Sequence, residues 1–600
     1  MEKRLIRYQE RATKYADSAV ALKSRYNYFS IVRLVAFFLS IFLAIFIFTQ
    51  WNAGIGMAFL VLFLIAFAQF VFWHRAILTK AKHHQYLATI NEEEIDVLNH
   101  QYHHFDNGDL FVDPAHPYSV DLDIFGDYSI FQYFNRTSTS IGRQSLANYL
   151  TQFPDKVEIL DRQAAVQELQ DQLDWRQNLQ AFGRDSIDNP EHLRLLHLWL
   201  SDEAFVNTNR LLKLALYFVP VWMIVGIGLS IYFLSWQIMI LFIILPAIIL
   251  SRNATKVNDT HMRTTHAAKM LSSYAKLMQH IEPSTFQVRK LKGLQSKLNS
   301  ANTPASKAIR QLSYIIEQLN VRYNVFAVFL NLIGLWELQW VSKLEKWKVT
   351  NKDHLPEWFV ALQEFEALNS IATTYYNNPD WQFPTIHESD QLLGDAIGHP
   401  LIHRSKRITN DFQSPTKAHI KLVTGSNMAG KSTFLRTVGT NIVLAMTGSP
   451  VCANSLQLPM LQVYTSMRTQ DALHESTSSF YAELKRLKII IEAVENGENI
   501  YFLMDEILKG TNSKDRHTGS RALIQQMIKS KGAGIIATHD LELGNMEARA
   551  NGAIENLCME VAVDNGALRF DYKLEKGVSK SFNATILMKE MGIAIEEGDL

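Results

Sequence analysis

Residues 424 to 433 read TGSNMAGKST, between an apolar strand-like run at 420–423 and a helix-like run at 434–445. The stretch from Gly425 to Ser432 fits the phosphate-binding pattern GxxxxGK[ST] in the strand–loop–helix setting that this pattern requires. Small residues leave backbone N–H groups free to surround phosphate oxygens, and the helix N-terminus adds a favourable dipole. We therefore predict a nucleotide-binding loop made of Gly425, Ser426, Asn427, Met428, Ala429, Gly430, Lys431, Ser432 and Thr433.

Two residues of this loop carry most of its predicted chemistry. Lys431 is placed to reach the β- and γ-phosphates of ATP, and the Ser432 hydroxyl is placed to hold Mg²⁺. The alternative is an accidental glycine-containing loop that binds no ligand. Two partner segments follow in the order typical of P-loop ATPases, and they disfavour that alternative.

The first partner segment, at 500–506, is an apolar strand that ends in two carboxylates. Asp505 suits the Mg²⁺ shell, and Glu506 suits the positioning or activation of the attacking water. The second is another apolar strand, which ends in His539, where the imidazole is placed to sense the γ-phosphate. A histidine with a purely structural role in the core is the alternative for His539. The three strands together predict an α/β P-loop ATPase that uses ATP and Mg²⁺.

Longer segments around these residues resemble one family. TGSNMAGKST is similar to the TGPNMGGKST of the MutS mismatch-repair ATPases, and ATHD is similar to their ATHY. STSSFYAEL at 476–484 and MDEILKGTNSKD at 504–515 resemble GRSTFMVEM and MDEIGRGTSTYD. Further upstream, the segment 122–150 resembles the start of the family's helical core and lever. The resemblance covers roughly residues 118–205 and 255–600.

This resemblance implies an ATPase domain of the ABC/MutS type joined to an all-α lever or core domain. It also implies ATP hydrolysis coupled to the binding of mismatched or otherwise non-standard DNA, and a homodimer formed through the ATPase domains. Ser478 would then complete the ATP site of a neighbouring chain in trans. Family members that read mismatches carry an N-terminal domain with an aromatic Phe-x-Glu wedge. We identify neither that domain nor the connector domain in this sequence. The Phe365-Glu366 pair lies in QEFEALNS, which resembles a lever helix that enters the ATPase domain.

Two further departures bear on the nucleotide and on the dimer. Arg407 stands where the family often has a phenylalanine that stacks on adenine, and its guanidinium plane is an alternative stacking surface. The sequence ends at Leu600, before the helical segment that usually locks the family's dimer, so we expect weak pairing in solution. Because the wedge is missing, we also expect poor discrimination between mismatched and perfect duplexes.

Four apolar segments form two pairs, each joined by a short uncharged link: 34–49 with 53–73, and 214–234 with 236–250. A membrane-spanning helix needs about 20 mostly apolar residues. Basic residues such as Arg33, Arg75, Arg210 and Arg252 flank the pairs, whereas the links carry none. The positive-inside rule then predicts a multi-pass protein of the cytoplasmic (inner) membrane with four spans and both termini in the cytoplasm. Two buried hairpins of a soluble core are the alternative.

A fifth apolar stretch, at 325–336, tests the number of spans. It is only about 12 residues long and contains Asn331, so we predict a buried core helix there. A span at this position would also put the ATPase domain outside the cell. The alternative is that Trp336, Trp340 and Trp347 lie on the membrane face.

Composition excludes some classes of protein. The 600 residues suffice for several domains, and the hydrophobic fraction of 48% is close to that of a globular protein. The formal net charge of zero gives no global basic field of the kind that attracts nucleic acid. Cys452 and Cys558 form no metal or disulfide pattern and suit a reducing cytosol.

The predicted order of domains places the second hairpin where the family's DNA-gripping clamp would interrupt the lever. The segments are a basic N-terminal segment (1–25), transmembrane hairpin 1 (26–80), the first half of the core or lever (83–208), transmembrane hairpin 2 (209–252), the second half (255–384) and the MutS-type ATPase domain (385–600). We expect a membrane-anchored ATPase that acts on DNA. The alternative is a membrane-tethered mechanochemical ATPase that acts on a protein or membrane partner without binding DNA.

Overall fold

The fold is that of a computed structural model, which describes residues 2–50, 53–185, 188–299, 303–324, 326–426, 428–468, 479–564 and 567–579. The helices are, in chain order, α1 (Glu2–Gln50), α2 (Ala53–Leu98), α3 (Ile130–Phe134), α4 (Ser140–Thr151), α5 (Lys156–Gln170), α6 (Leu173–Gly183), α7 (Pro190–Ser201), α8 (Arg210–Tyr232), α9 (Trp236–Thr264), α10 (Ala267–Ile281), α11 (Arg289–Leu298), α12 (Ala305–Leu319), α13 (Ala327–Gly334), α14 (Trp336–Asn351), α15 (Leu355–Asn377), α16 (Lys431–Thr447), α17 (Ser479–Glu495) and α18 (Ser513–Lys529). The strands are β1 (Thr385–Ile386), β2 (Gln391–Ile397), β3 (Asn410–Pro415), β4 (His419–Thr424), β5 (Ser455–Leu458), β6 (Gln462–Ser466), β7 (Ile500–Asp505), β8 (Ala533–Thr538), β9 (Ile554–Asp564) and β10 (Ala567–Lys576).

A six-stranded sheet organises the C-terminal part of the chain, in the order β10-β9-β4-β8-β7-β6. Strands β9, β4, β8, β7 and β6 run parallel, and β10 pairs antiparallel with β9. Strands β4, β7 and β8 are buried along their whole length, as expected for apolar strands covered on both faces. A smaller sheet has the order β1-β5-β2-β3. A mixed α/β domain joined to a mostly helical one is therefore confirmed, whereas the P-loop fold stays a prediction.

Helix α15 is the central helix of the helical region and leads directly to β1. It is buried along most of its length and packs against α4, α5 and α11. The carboxylate of Glu366 accepts hydrogen bonds from the Ser138 backbone N–H at 2.8 Å and the Ser138 hydroxyl at 2.6 Å. Phe365 and Glu366 thus lie in the interior of the helical region. This position fits a lever helix and not an exposed wedge.

The start of the predicted lever touches the helix that follows the predicted nucleotide-binding loop. Asp123 forms an ion pair with Arg436 of α16 at 3.1 Å. A Cβ atom added to Gly439 of α16 would lie only 3.0 Å from a methyl carbon of Leu122, so the two elements approach closely here. Movement of α16 would therefore reach the lever through these contacts.

Four helices of the described part of the chain are long and apolar enough to cross a membrane: α1, α2, α8 and α9. Their most apolar windows are only 6–22% buried, which paired hairpins in a soluble core would not show. Helix α1 packs along α2, and α8 packs along α9. Helix α1 runs without a break from the predicted basic segment through the first apolar segment, and α2 continues past the second to Leu98.

The base of the first hairpin is joined to the end of α15 by buried polar groups. The Tyr8 hydroxyl donates to Asn377 Oδ1 at 2.9 Å, and Asn377 Nδ2 donates to Glu94 Oε2 at 2.7 Å. Glu94 also pairs with Arg136, and all four side chains are at most 2% exposed. Because α15 ends at Asn377, this buried network connects the first hairpin to the point where the lever meets the α/β domain.

The prediction of a buried core helix at 325–336 is wrong. Helix α13 lies there, and Phe326, Val328 and Phe329 next to or within it are 60–68% exposed. The alternative for the tryptophans also fails for Trp340 and Trp347, which are 8% and 3% exposed. A short apolar run has the same composition whether protein or another apolar medium covers it, so its sequence could not decide between the two.

Candidate active site

The loop between β4 and α16 depends on a glycine at its last position. Gly430 is the residue before the first turn of α16 and has a φ of 100°, a conformation that favours glycine. A Cβ atom there would lie 2.9 Å from the ring of Tyr572. The apolar strand β4 and the helix-forming run of α16 thus hold a tight loop at the carboxyl edge of the sheet. Ligands of open α/β sheets bind at this edge.

Lys431 is the first residue of α16 and is 5% exposed. Its Nζ donates hydrogen bonds to the backbone oxygens of Gly425 at 2.8 Å and Ser426 at 2.9 Å. Burial lowers the pKa of Lys431 to about 8. The ammonium group is therefore held at the centre of the loop by neutral acceptors, which phosphate oxygens can replace.

Ser432 and Asp505 offer oxygen ligands side by side. The Ser432 hydroxyl donates to Asp505 Oδ2. The other carboxylate oxygen of Asp505, Oδ1, is buried and has no hydrogen-bond partner among the described residues. Buried polar atoms are rarely left unpaired, so a ligand at this carboxylate would satisfy it. A hydroxyl and a carboxylate are oxygen donors of the kind that Mg²⁺ prefers, and the pair fits that ion.

Glu506 follows β7 and has a φ of 53°, which is uncommon for a residue with a side chain. Its Oε1 lies 2.6 Å from His539 Nε2, and its Oε2 lies 3.3 Å from Lys509 Nζ. The hydrogen bond from His539 lowers the pKa of Glu506 to about 2, and the charge of Lys509 contributes. Glu506 is therefore an ionised acceptor. The carboxylate of Glu506 thus lies at the same sheet edge as His539.

His539 connects the two halves of the cluster. It follows the end of β8, next to β4 and β7 in the sheet. Its Nε2 lies 3.3 Å from Lys431 Nζ as well as 2.6 Å from Glu506 Oε1. The structure thus brings together the five side chains predicted from three separate segments: Lys431, Ser432, Asp505, Glu506 and His539. Their chemical roles stay predictions.

A cleft of about 470 Å³ opens beside this cluster. Its polar wall includes Lys431, Ser432, Glu506 and His539, and its lining also includes the apolar residues Ile397, Ile408, Met559 and Phe570. A cleft with charged groups at one side and apolar groups elsewhere fits a ligand that carries phosphates and a planar base.

Arg407 does not line the cleft, although its sequence position predicted a contact with the base. Its guanidinium donates to the backbone oxygens of Ile402 at 3.0 Å and Pro400 at 3.3 Å. Arg407 therefore holds the loop that forms one wall. His399, within that loop, does line the cleft, and burial lowers its pKa to about 4, so its ring is neutral.

Two residues of the site were not predicted from the sequence. Lys509 pairs with Glu506, as described above. Glu483 of α17 accepts a hydrogen bond from the Leu508 backbone N–H, so α17 supports the loop that follows Glu506. The segment STSSFYAEL contains Glu483, but its resemblance to the family signature predicts a role for Ser478 only.

The other predicted residues of the loop and of the trans contact differ in exposure and in whether the structure describes them. Asn427 and Ser478 lie outside the described residues. Met428 is 68% exposed, and Ala429 is 2% exposed. The hydroxyl of Ser426 is buried without a hydrogen-bond partner in the described part of the chain, which again leaves a polar group for a ligand.

Comparison with known proteins finds similarity to one family in the C-terminal part of the chain. The family described as MutS domain V matches residues 421–591. The chain is 30% identical over 220 residues to the DNA mismatch repair protein MutS of Aquifex pyrophilus, covering 36% of this chain and 25% of that protein. It is 31% identical over 230 residues to the DNA mismatch repair protein MutS of Thermus aquaticus, with 38% and 26% covered.

A eukaryotic relative matches to a similar degree. The DNA mismatch repair protein MSH3 of Phaeosphaeria nodorum is 30% identical over 232 residues, covering 36% of this chain and 20% of that protein. The matched region thus spans a quarter or less of the length of most of these relatives. The similarity concerns the part of the chain that contains the cleft.

Proposed function

We propose that this chain, whose C-terminal region makes it a member of the MutS family, is a membrane-anchored ATPase. It binds and hydrolyses ATP with Mg²⁺ and couples turnover to the binding of mismatched or otherwise non-standard DNA. The observation that carries the proposal is the cluster in which Glu506 contacts His539, and His539 contacts Lys431, at the wall of one cleft.

The proposed chemistry assigns one role to each side chain. Lys431 exchanges its two carbonyl acceptors for oxygens of the β- and γ-phosphates. Ser432 and Asp505 hold Mg²⁺, which neutralises charge on the phosphates when bound. Glu506 orients the water that attacks the γ-phosphorus and takes up its proton, and the bond to the ADP oxygen breaks. His539 keeps Glu506 ionised and oriented next to Lys431.

Replacement of Glu506 separates binding from turnover. Glu506→Gln retains a polar side chain of the same size but cannot accept the proton, so we expect normal ATP binding and almost no phosphate release. Glu388→Gln is the matched control, because Glu388 is an exposed carboxylate paired with Lys156. Phosphate release by Glu506→Gln equal to that of the parent protein would remove Glu506 from this role.

The membrane part of the proposal rests on the four long apolar helices and on the basic residues at one end of each pair. The protein lies in the cytoplasmic membrane, with both termini and the cleft on the cytoplasmic side, where ATP is present. The exposed apolar surface of these helices supports this placement, because exposed apolar patches of such size are rare in soluble proteins.

We also propose that hydrolysis requires two chains. Ser478 completes the site of the neighbouring ATPase domain, and membrane confinement raises the local concentration of chains. Turnover per chain should then rise with protein density in vesicles, and Ser478→Ala should lower that rise. Turnover that is independent of density would contradict pairing.

A second candidate function is mechanochemical work on a protein or membrane partner without DNA. The observation in its favour is that α8 and α9 interrupt the lever, between α7 and α10. A titration of branched DNA against the detergent-solubilised protein at several salt concentrations decides between the two. DNA binding through phosphates weakens steeply with salt. Failure to bind at the lowest salt concentration would favour the second candidate.

A further inference from the structure

Helix α13 and its neighbours form an apolar surface that no other described part of the chain covers. Phe326, Val328 and Phe329 are 68%, 62% and 60% exposed, and Ile333 is 38% exposed. The sequence from 326 to 336 contains no charged residue. A surface of this kind marks a contact with another apolar medium or partner.

Helix α14 shows where α13 lies relative to the second hairpin. Gln339 Nε2 donates to the backbone oxygen of Leu216, which belongs to the apolar part of α8. Further along α14, Glu345 accepts from the backbone N–H of Asn207 at 2.7 Å. Lys348 Nζ then donates to the backbone oxygen of Trp199 at 2.8 Å.

Successive residues of α14 therefore contact successively earlier residues of the chain. Helix α14 runs away from the apolar part of α8, towards the segment that precedes it. Helix α13 comes before α14 and packs against both α8 and α9. It consequently lies at the cytoplasmic end of the second hairpin, level with the first residues of the apolar segment 214–234.

The corner between α13 and α14 is rigid, and its polar groups are satisfied internally. Leu335 turns the chain with a φ of 49° and is fully buried. Asn331 Nδ2 donates to Glu337 Oε1 at 3.1 Å, and the Glu337 N–H donates to Asn331 Oδ1 at 2.9 Å. Arg322 lies 3.6 Å from Glu337. The side chains left facing outwards are therefore mostly apolar.

We infer that α13 is an interfacial membrane helix whose occupant is the lipid bilayer at the boundary between headgroups and acyl chains. Its eight residues extend about 12 Å, too little to cross a hydrocarbon core of about 30 Å. An apolar stretch too short to span the bilayer and not buried in a protein core is typical of a segment that lies at the interface. The inference rests on the proposed membrane anchoring. It adds a third membrane contact, on the segment that leads through α14 and α15 to the cleft.

The continuity of exposed apolar surface favours lipid over a second copy of the chain. Leu214, Phe218 and Ile224 of α8, the helix against which α13 packs, are 54–66% exposed. Lipid that surrounds these side chains would reach α13 as well. Attachment of α13 to the bilayer would make the position of the lever depend on the membrane, because the rigid corner transmits its position to α14.

The test measures the depth of a fluorescent probe in vesicles. An environment-sensitive NBD label is attached to the cysteine of the variant Phe329→Cys and, separately, of the variant Phe326→Cys. The full chain is then reconstituted into phospholipid vesicles. Ile224→Cys in the middle of the apolar part of α8 is the control for bilayer insertion. Val349→Cys is the matched control on α14, because it is 74% exposed and follows Lys348. The native Cys452 and Cys558 are buried.

Lipids that carry a nitroxide near the headgroup should quench most of the emission at Phe329 and Phe326 and little at Val349. Lipids with the nitroxide at the chain end should quench Ile224 more strongly than Phe329. If Ile224 is quenched and both α13 positions behave like Val349, the inference is wrong and the anchoring stands. A blue-shifted but unquenched α13 probe would mean a protein partner and would also overturn it. Absence of quenching at Ile224 would reject the membrane anchoring itself.

Discussion

The cleft and the outer surface of the second hairpin differ in what their side chains contact. In the cleft, His539 Nε2 lies 2.6 Å from Glu506 Oε1 and 3.3 Å from Lys431 Nζ. On the hairpin, side chains such as Leu214 and Ile224 are 65–66% exposed and touch little of the chain. The first arrangement gives Lys431 neutral backbone acceptors, which phosphate oxygens would replace in the proposed function. The second leaves apolar surface that only an apolar medium can cover. These contacts favour a charged ligand for the cleft and an apolar environment for the hairpin.

The largest expected effect concerns the second hairpin, where chemical labelling of a cysteine should occur on one side of the membrane only. Phe233 lies just after α8, at the outer link of the second hairpin, and its side chain is 61% exposed. A membrane-impermeant maleimide should label the variant Phe233→Cys in intact cells. Thr208→Cys, exposed before α8, should be labelled only after permeabilisation. Labelling of Thr208→Cys in intact cells would contradict the proposed topology.

The next effect concerns the network that joins the first hairpin to the end of α15. Arg136→Met leaves the carboxylate of Glu94 buried without its cationic partner, so we expect a loss of about 3–5 kcal/mol in stability. Arg143→Met is the control, because Arg143 is 3.8 Å from Asp106 and that carboxylate is half exposed. Such a pair contributes at most about 1 kcal/mol.

Thermal unfolding in detergent measures both variants. The double variant Glu94→Gln with Arg136→Met removes the buried charge and should regain part of the loss. Equal stability of Arg136→Met and Arg143→Met would mean that the network does not hold the first hairpin to the lever.

A smaller effect is the pH dependence of ATP affinity, which tests the role of the cleft. Burial lowers the pKa of Lys431 to about 8, so its protonated fraction falls from about nine-tenths at pH 7 to about one-tenth at pH 9. Phosphate binds the charged form, and ATP binding should weaken by about tenfold over this range. Glu506, with its pKa lowered to about 2, should stay ionised throughout. Equilibrium binding at saturating Mg²⁺ measures the change, and constant affinity up to pH 9 would contradict it.

The smallest expected effect is the difference in affinity between a mismatched and a perfect DNA duplex. It tests what the predicted lever, between the second hairpin and the cleft, binds. Kinking a mismatched duplex requires an inserted apolar side chain, and the Phe365-Glu366 pair is buried inside the lever. A mismatched duplex and its perfect counterpart should therefore differ by less than tenfold in affinity, about 1.4 kcal/mol. Competition at fixed salt measures this ratio. A larger preference would reveal a wedge elsewhere in the chain.

The sequence predicted the cleft better than the surroundings of the lever, and the reason is physical. Lys431 follows β4 after the loop, Asp505 is the last residue of β7 and His539 follows β8, so short local patterns place all three at one sheet edge. Glu483 acts through a tertiary contact that no local pattern encodes, and Lys509 pairs with Glu506, three residues before it, in a turn whose conformation no local pattern predicts. These were therefore missed.

Two other residues show the same division between local pattern and tertiary contact. Arg407 occupies a position that predicts stacking on a base, but its guanidinium is occupied by the carbonyl oxygens of Ile402 and Pro400. Phe329 belongs to a run that fits a core helix equally well, and only the tertiary packing reveals that its side chain is 60% exposed. Apolar periodicity predicts that a face is covered without identifying what covers it.

The most direct test of the comparison is ATP binding by the reconstituted protein with and without the Lys431 ammonium group. Lys431→Ala removes the cation that the loop holds at its centre, and we expect the loss of measurable binding of labelled ATP. Lys417→Ala is the control, since Lys417 is about half exposed and paired with Asp390 at 2.9 Å, and it should bind ATP like the parent protein. Normal ATP binding by Lys431→Ala would contradict the assignment of this cleft.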